Sequence, residues 1–222
     1  LTLTVTDDNG YTASCTATAT VTDNIPPVAS CQDITIQLDA TGNVSILPED
    51  IDNGSSDACG GLTFSASDTN FDCTEVGDNV VTLTVEDENG NTSTCNATVS
   101  VEDNTAPVAV CQDITVQLDV SGNTSIVATD VDGGSSDACG GLVFDVSETD
   151  FDCTIVGANV VTLTVTDDNG NTANCTANVT IEDVTPPVAT CQDITIQLDA
   201  TGNVSMLPED IDNGSNDACG GL

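Results

Sequence analysis

The residues of this chain that could do chemistry are of two kinds, cysteines and carboxylates: it has 11 Cys and 37 Asp or Glu, with no Lys, Arg or His. The cysteines lack the CxxC pairs of zinc sites, so they point to disulfides made in an oxidising compartment. Clustered carboxylates and amides suit hard divalent cations, which take about six to eight oxygens. Candidate ligands fall in three settings. Asp50, Asp52 and Asp57 share a long loop, as do Asp130, Asp132 and Asp137. Asp87, Asn89 and Asn91 form a DxNxN turn, repeated by Asp167, Asn169 and Asn171. Glu102 and Asp103 lie in a linker. The competing reading is that these residues only shape turns and keep the chain soluble, since Asp, Asn and Gly favour turns for their own reasons.

Catalysis has little to draw on. No His or Lys is present to serve as a general base near neutral pH, and the serines have no His partner. A paired-carboxylate glycosidase needs neither, but such a site in every copy of a repeat, with 2% aromatic residues to hold a sugar, is not expected. The chain is read as a non-enzyme.

The elements that position these residues are set by a repeat. Cys31, Cys111 and Cys191 each open CQDIT, Cys59, Cys139 and Cys219 each sit in DACGG, and Cys73 and Cys153 each end FDC. All recur at the one constant interval that separates Cys31 from Cys111, as do Cys15, Cys95 and Cys175. Two whole repeats follow, 31–110 and 111–190, with the end of an earlier one at 1–30 and the start of a later one at 191–222. Residues 31–62 and 191–222 differ only at Ile46/Met206 and Ser56/Asn216, whereas the copy between them departs more widely, as at Pro48/Ala128 and Asn53/Gly133. Copies two units apart are the more alike, which fits duplication of a two-repeat block and a longer array.

Within 31–110, Ile34, Ile36 and Leu38 alternate with polar residues, as do Val81, Leu83 and Val85, and Cys95, Ala97, Val99 and Val101. That is the period of half-buried strands. Val44–Leu47 and Leu62–Ala66 read as shorter strands, 48–61 as a long loop, and Asp87–Asn91 as a hairpin turn around Asn-Gly. About seven short strands per repeat, and no helix, suggest an immunoglobulin-like sandwich, with a meander or barrel as the rival. Cys31 is out of phase with Ile34, Ile36 and Leu38, so a bend must follow it.

The formal charge of −37 excludes direct binding of nucleic acid or an anionic membrane, because no cation is present to neutralise a phosphate. Acidic, aromatic-poor chains are often disordered, but 38% hydrophobic residues in strand alternation argue for a fold. No apolar run approaches the ~20 residues of a membrane span. Sequons such as Asn43-Val-Ser45, Asn96-Ala-Thr98 and Asn178-Val-Thr180 arise readily in an Asn/Thr-rich chain, and the many strand threonines fit β-propensity.

The pattern resembles the hyalin repeat (HYR) module, an immunoglobulin-like adhesion domain. The matching features are Pro107-Val108 before Cys111, the strand Ile114–Leu118, the Asp/Asn/Gly loop 130–141, Val156-Gly157 before the strand Val160–Thr166, the turn Asp167–Asn171, and Cys175 beyond it. Cysteines in DACGG and FDC, and Gln in place of proline after the first cysteine, depart from that module. Those departures resemble the acidic, cysteine-rich repeats of giant Bacteroidetes surface adhesins of the SprB type. The resemblance implies an all-β chain of tandem immunoglobulin-like sandwiches forming an extended rod. It implies a place in a secreted, cell-surface filament serving adhesion or gliding motility.

In such a sandwich the first and last strands run side by side, so the expected disulfides are Cys31–Cys95 and Cys111–Cys175, with Cys59–Cys73 and Cys139–Cys153 as the second pair of each repeat. Four cysteines allow three pairings, and an inter-repeat bridge such as Cys95–Cys111 is the rival. The same topology brings the long loop, the hairpin turn and the incoming linker to one end, where calcium would relieve carboxylate repulsion and stiffen the junction. The proline-bearing linkers restrict bending as well. The functional expectation is a structural stalk whose partners are its neighbouring repeats. The alternatives are a module that binds a surface glycan or protein, and a self-assembling sheath or matrix fibre.

Overall fold

The computed structural model describes residues 1–220 and divides into two compact units, Leu1–Asp103 and Asn104–Leu222. The first unit begins with a hairpin, β1 (Thr2–Thr6) and β2 (Thr12–Thr16), in antiparallel register. Its sandwich follows: β3 (Ile34–Gln37), β4 (Asn43–Ser45), β5 (Leu62–Ala66), β6 (Asn70–Asp72), β7 (Gly77–Asp87) and β8 (Thr92–Glu102). One sheet has the order β3-β8-β7-β5, with β3 parallel to β8 and the other pairs antiparallel. The second sheet is the pair β4-β6. The only helical elements among the described residues are short 3-10 turns, such as Pro48–Ile51 and Cys73–Glu75.

The second unit repeats this with β9 (Ile114–Gln117), β10 (Asn123–Ser125), β11 (Val143–Val146), β12 (Asp150–Asp152), β13 (Gly157–Thr166) and β14 (Thr172–Glu182). Its sheets are β9-β14-β13-β11 and β10-β12. Six strands form in each repeat where about seven were expected. The missing element is a pair of isolated bridges, Val28↔Ser56 and Cys31↔Asp52, through which the long loop folds back on the incoming chain.

The core follows from strand alternation. Val81, Leu83 and Val85 on β7, and Ala97, Val99 and Val101 on β8, are all buried, as are Leu38, Ile46, Ile51 and Phe71. Their counterparts one repeat on, from Leu118 to Ile181, form a single cluster in the second unit. Each large side chain so buried contributes about 1.5–3 kcal/mol, so this thin core leaves the repeat reliant on cross-links.

The bend expected after Cys31 is present. Cys31 pairs with Asp52, and the chain then transfers to β8, where Ile34 lies opposite Val99. At the transfer, the Thr98 N–H donates to Asp33 Oδ1 at 2.7 Å, so a side chain replaces the missing rung. The equivalent bond is from Asn178 N–H to Asp113, also 2.7 Å.

Candidate metal centre and disulfide joints

The β7–β8 turn is organised by one carboxylate. Asp87 is 5% exposed; its Oδ1 accepts from the N–H groups of Asn89 and Asn91, both at 2.8 Å, and its Oδ2 from the Asn91 side chain at 2.8 Å. Asp167 does the same with Asn169 and Asn171, at 2.9, 2.8 and 2.9 Å. Burial acts to raise the pKa of both carboxyls, and the bonds from the amide side chain and from three backbone N–H groups together outweigh it, leaving both below the ordinary value. Gly90 and Gly170 adopt the positive φ this turn requires, 84° and 90°. The DxNxN motif is therefore first a turn-forming device.

The long loop spends most of its acids in the same way. Asp50 Oδ2 accepts from Leu47 N–H and Asp130 Oδ2 from Val127 N–H, closing the 3-10 turns. Asp52 accepts from Gly54 and Ser55, and Asp132 from Ser135. Asp57 and Asp137 take the N–H groups of Cys59 and Cys139.

Of these loop acids in the first unit, Asp57 is the one brought against the linker. Ligand atoms of Asp23, Asp57 and Cys59 lie within 4.8 Å of one another, and those of Asp183, Asp217 and Cys219 do so in the second unit. The repeat gives Asp103, Asp137 and Cys139 the same sequence positions. The hairpin joins them: Asn91 Nδ2 donates to the Asp23 carbonyl at 3.3 Å. Linker, long loop and hairpin turn thus converge in the first unit. Asp50, Asp52, Asp130 and Asp132 are held by their own turns and belong to no such cluster of three ligating side chains among the described residues.

Asp23 Oδ1 accepts from Ile25 N–H at 3.0 Å, whereas Asp23 Oδ2 is buried with no hydrogen bond of normal geometry. An orphaned carboxylate oxygen beside a second carboxylate is costly unless a cation compensates it. Two carboxylates supply up to about four oxygens, with water completing the shell of a calcium ion. The residues fit that ion, but sulfur is not among its preferred ligands. The neighbouring Cys59 thiol has its pKa raised, first by its proton held against the Asp23 carboxylate, then by the charge of Asp23, desolvation, and the charges of Asp57 and Asp87.

Disulfides join Cys31 to Cys95 and Cys111 to Cys175, each with a Cα–Cα distance of 5.8 Å. The second expected pairing is corrected. Cys153 is bonded to Cys219, not Cys139, and Cys59 is a free, exposed thiol, so Cys59–Cys73 does not form. Cys73 and Cys139 are both disulfide-bonded. The rival Cys95–Cys111 bridge is absent too, because both cysteines are used within their own sandwiches.

Strand direction explains the error. Val143, four residues after Cys139, pairs with Thr166 at the hairpin end of β13, while Cys153 opens the 3-10 turn Cys153–Ile155 that leads into Gly157 at its other end. The length of β13 separates those ends by roughly 30 Å. The segment between the two cysteines carries the chain along the sandwich without returning. Cys59 and Cys73 are divided by β7 in the same way. The signal in the sequence was two strands in a row, Leu62–Ala66 and the one holding Phe71, with no hairpin turn between them to bring the cysteines back together.

No family model matches the chain. Among curated proteins it is similar to hyalin of Lytechinus variegatus, 34% identical over 202 residues, which covers 84% of this chain and 37% of that protein. It is also similar to hyalin of Strongylocentrotus purpuratus, 31% identical over 208 residues, covering 87% of this chain and 17% of that protein. The chain thus spans well under half the length of either relative. Among solved structures, mouse cadherin-23 EC22–24 aligns at 12% identity and a TM-score of 0.41, covering 76% of this chain and 70% of that one. The likeness to hyalin supports a hyalin-repeat-like family, while the sandwich fold stands on the sheets described above.

Proposed function

We propose that these hyalin-repeat-like sandwiches are a load-bearing segment of a large extracellular surface adhesin, a stalk rather than a catalyst. One observation carries the reading: two disulfides interleave along the backbone. Cys111–Cys175 and Cys153–Cys219 overlap, and the second leads from repeat 111–190 into the copy that follows. A path from Cys111 to Cys219 that crosses both sulfur bridges uses no backbone except the short stretch from Cys153 to Cys175. Tension therefore passes across sulfur. The stretches 111–153 and 175–219, together about 300 Å of extended chain, stay locked.

Pulling the full chain by its termini in a force spectrometer tests this. The reduced protein should extend about 300 Å further across this segment than the oxidised one. Equal extension would remove the load-bearing role. Extracellular placement fits eight disulfide-bonded cysteines, and no helix among the described residues is long and apolar enough to cross a membrane. With 37 acidic residues and no cation, such stalks would repel one another at low salt.

Calcium belongs to the same reading. Asp23 and Asp57 would hold it, and it would supply the positive charge that Asp23 Oδ2 lacks. Calcium against EDTA should raise the melting temperature of the intact chain, and Asp23→Asn should abolish part of the rise. A melting temperature indifferent to calcium would leave these acids as turn formers.

A further inference from the structure

We infer that the loop Asp57–Gly61 is one half of a joint, that its other half is the glycine-turn face of another sandwich of the same repeat, and that Cys59 closes the joint as a disulfide. The inference rests on reading the chain as part of a tandem array, and on nothing about what the array adheres to.

The second unit shows the joint made. Its receiving face is the turn between β9 and β10, where Gly122 has φ +77°. A Cβ built on Gly122 would stand 2.5 Å from Cys153 Sγ, 3.4 Å from Ala218 Cβ and 3.5 Å from Cys219 Sγ. Only a residue without a side chain leaves room for the Ala218-Cys219 dipeptide to seat and for the sulfurs to bond. Cys153 Sγ also lies 3.6 Å from the Gly122 carbonyl. The first unit presents the same face: Gly42 has φ 74°, and Cys73 Sγ lies 3.6 Å from its carbonyl.

The inserting half is equally preformed around Cys59. The bridges Val28↔Ser56 and Cys31↔Asp52 match Val188↔Asn216 and Cys191↔Asp212. Cys59 N–H donates to Asp57 at 2.7 Å, and Cys219 N–H to Asp217 at 2.9 Å. Asp-Ala-Cys-Gly-Gly is identical in the two copies. Cys59 thus offers an exposed thiol in the pose that bonds Cys153 elsewhere. Closing the joint takes two protons and two electrons from a pair of thiols. A small-molecule or protein disulfide accepts them and leaves as two thiols.

The test adds a copy of residues 111–160 directly before Leu1, which keeps the phase of the repeat. The full chain is refolded with oxidised and reduced glutathione, then cleaved without reduction by an Asp-directed protease, since it offers no Lys or Arg to trypsin. The expected products join Cys59 to the added copy of Cys153, and Cys15 to the added copy of Cys111. Gly122→Val in the added copy should leave Cys59 open to alkylation while sparing the Cys15 link. Cys15 bridged with Cys59 still fully alkylated would overturn the joint and leave the array reading standing. Neither cysteine bridged would overturn both.

Discussion

Cys59 and Cys219 are one residue of one loop in two copies, yet the first is a free thiol and the second is bonded to Cys153. Their surroundings match: Asp23 and Asp57 attend the first, and Asp183 and Asp217 the second. The loop therefore does not set the state of its own cysteine. The difference lies in whether a glycine-turn face such as that of Gly122 is seated against it. The repeat carries a sandwich and a joint, closed at Cys219 and open at Cys59, and these can be broken separately.

The largest effect should come from turning Cys219 into a second Cys59. Cys153→Ala removes a closure of 66 residues, which the chain-entropy model sets at about 4 kcal/mol. Hydrogen exchange should locate that loss in the backbone bonds of the following copy, such as Asn216 to Val188 and Gln192 to Ile211, with β13 and β14 still protected. The double variant Cys111→Ala/Cys175→Ala removes a closure of 64 residues, nearly the same entropy, but should lower protection in β13 and β14 themselves. Strands that melt equally in both variants would mean that the two disulfides serve one cooperative unit, and the distinction between fold and joint would fail.

Much of this architecture was legible in the chain. The alternation of Val81, Leu83 and Val85 against Cys95, Ala97 and Val99 places both central strands and their buried face. It also puts Cys95 on the face that meets Cys31. The joint was hidden because sequence separation is a poor guide to distance once strands intervene. Cys139 and Cys153 are near neighbours along the chain but lie at opposite ends of β13, while Cys153 and Cys219, at a sequence separation of 66, are bonded. The acidic clusters were found, but not their division of labour. Asp87 and Asp167, candidate ligands in their DxNxN turns, are the hubs of those turns, whereas the orphaned oxygen belongs to Asp23, which holds in its linker the position that the candidate Asp103 holds one repeat on.

Acid should sharpen the comparison by acting on what the two copies share. Asp212 has its pKa lowered, first by the Ser215 hydroxyl and then by Ser215 N–H. In Asp52, burial works to raise the pKa, and the bonds from Ser55 and Gly54 outweigh it. A carboxyl with a lowered folded-state pKa contributes its full stability above the ordinary aspartate value, near 3.9. It loses that contribution as pH falls through the lower, folded value. Ser55 and Ser215 N–H groups should therefore stay equally protected at neutral pH and lose protection together below about pH 4. Loss in one copy well above that range would show that the disulfide, not the carboxylate turn, orders the loop.

The smallest effect concerns the open thiol. Alkylation requires the thiolate, and the raised pKa of Cys59 keeps the thiolate scarce at neutral pH. Asp23 is the leading cause, through the approach of its carboxylate to the thiol proton and then its charge, ahead of Asp57 and Asp87. Asp23→Asn should therefore shift the pH–rate profile of iodoacetamide labelling at Cys59 to lower pH, raising the rate several-fold at pH 8, while Asp87→Asn should move it less. Because Asp23 and Asp57 are also the residues placed to hold calcium, saturating calcium should shift the wild-type profile the same way, and the shift should vanish in Asp23→Asn. A profile that Asp23→Asn leaves in place would separate the thiol from the linker carboxylate, and the match between the surroundings of Cys59 and Cys219 would no longer hold.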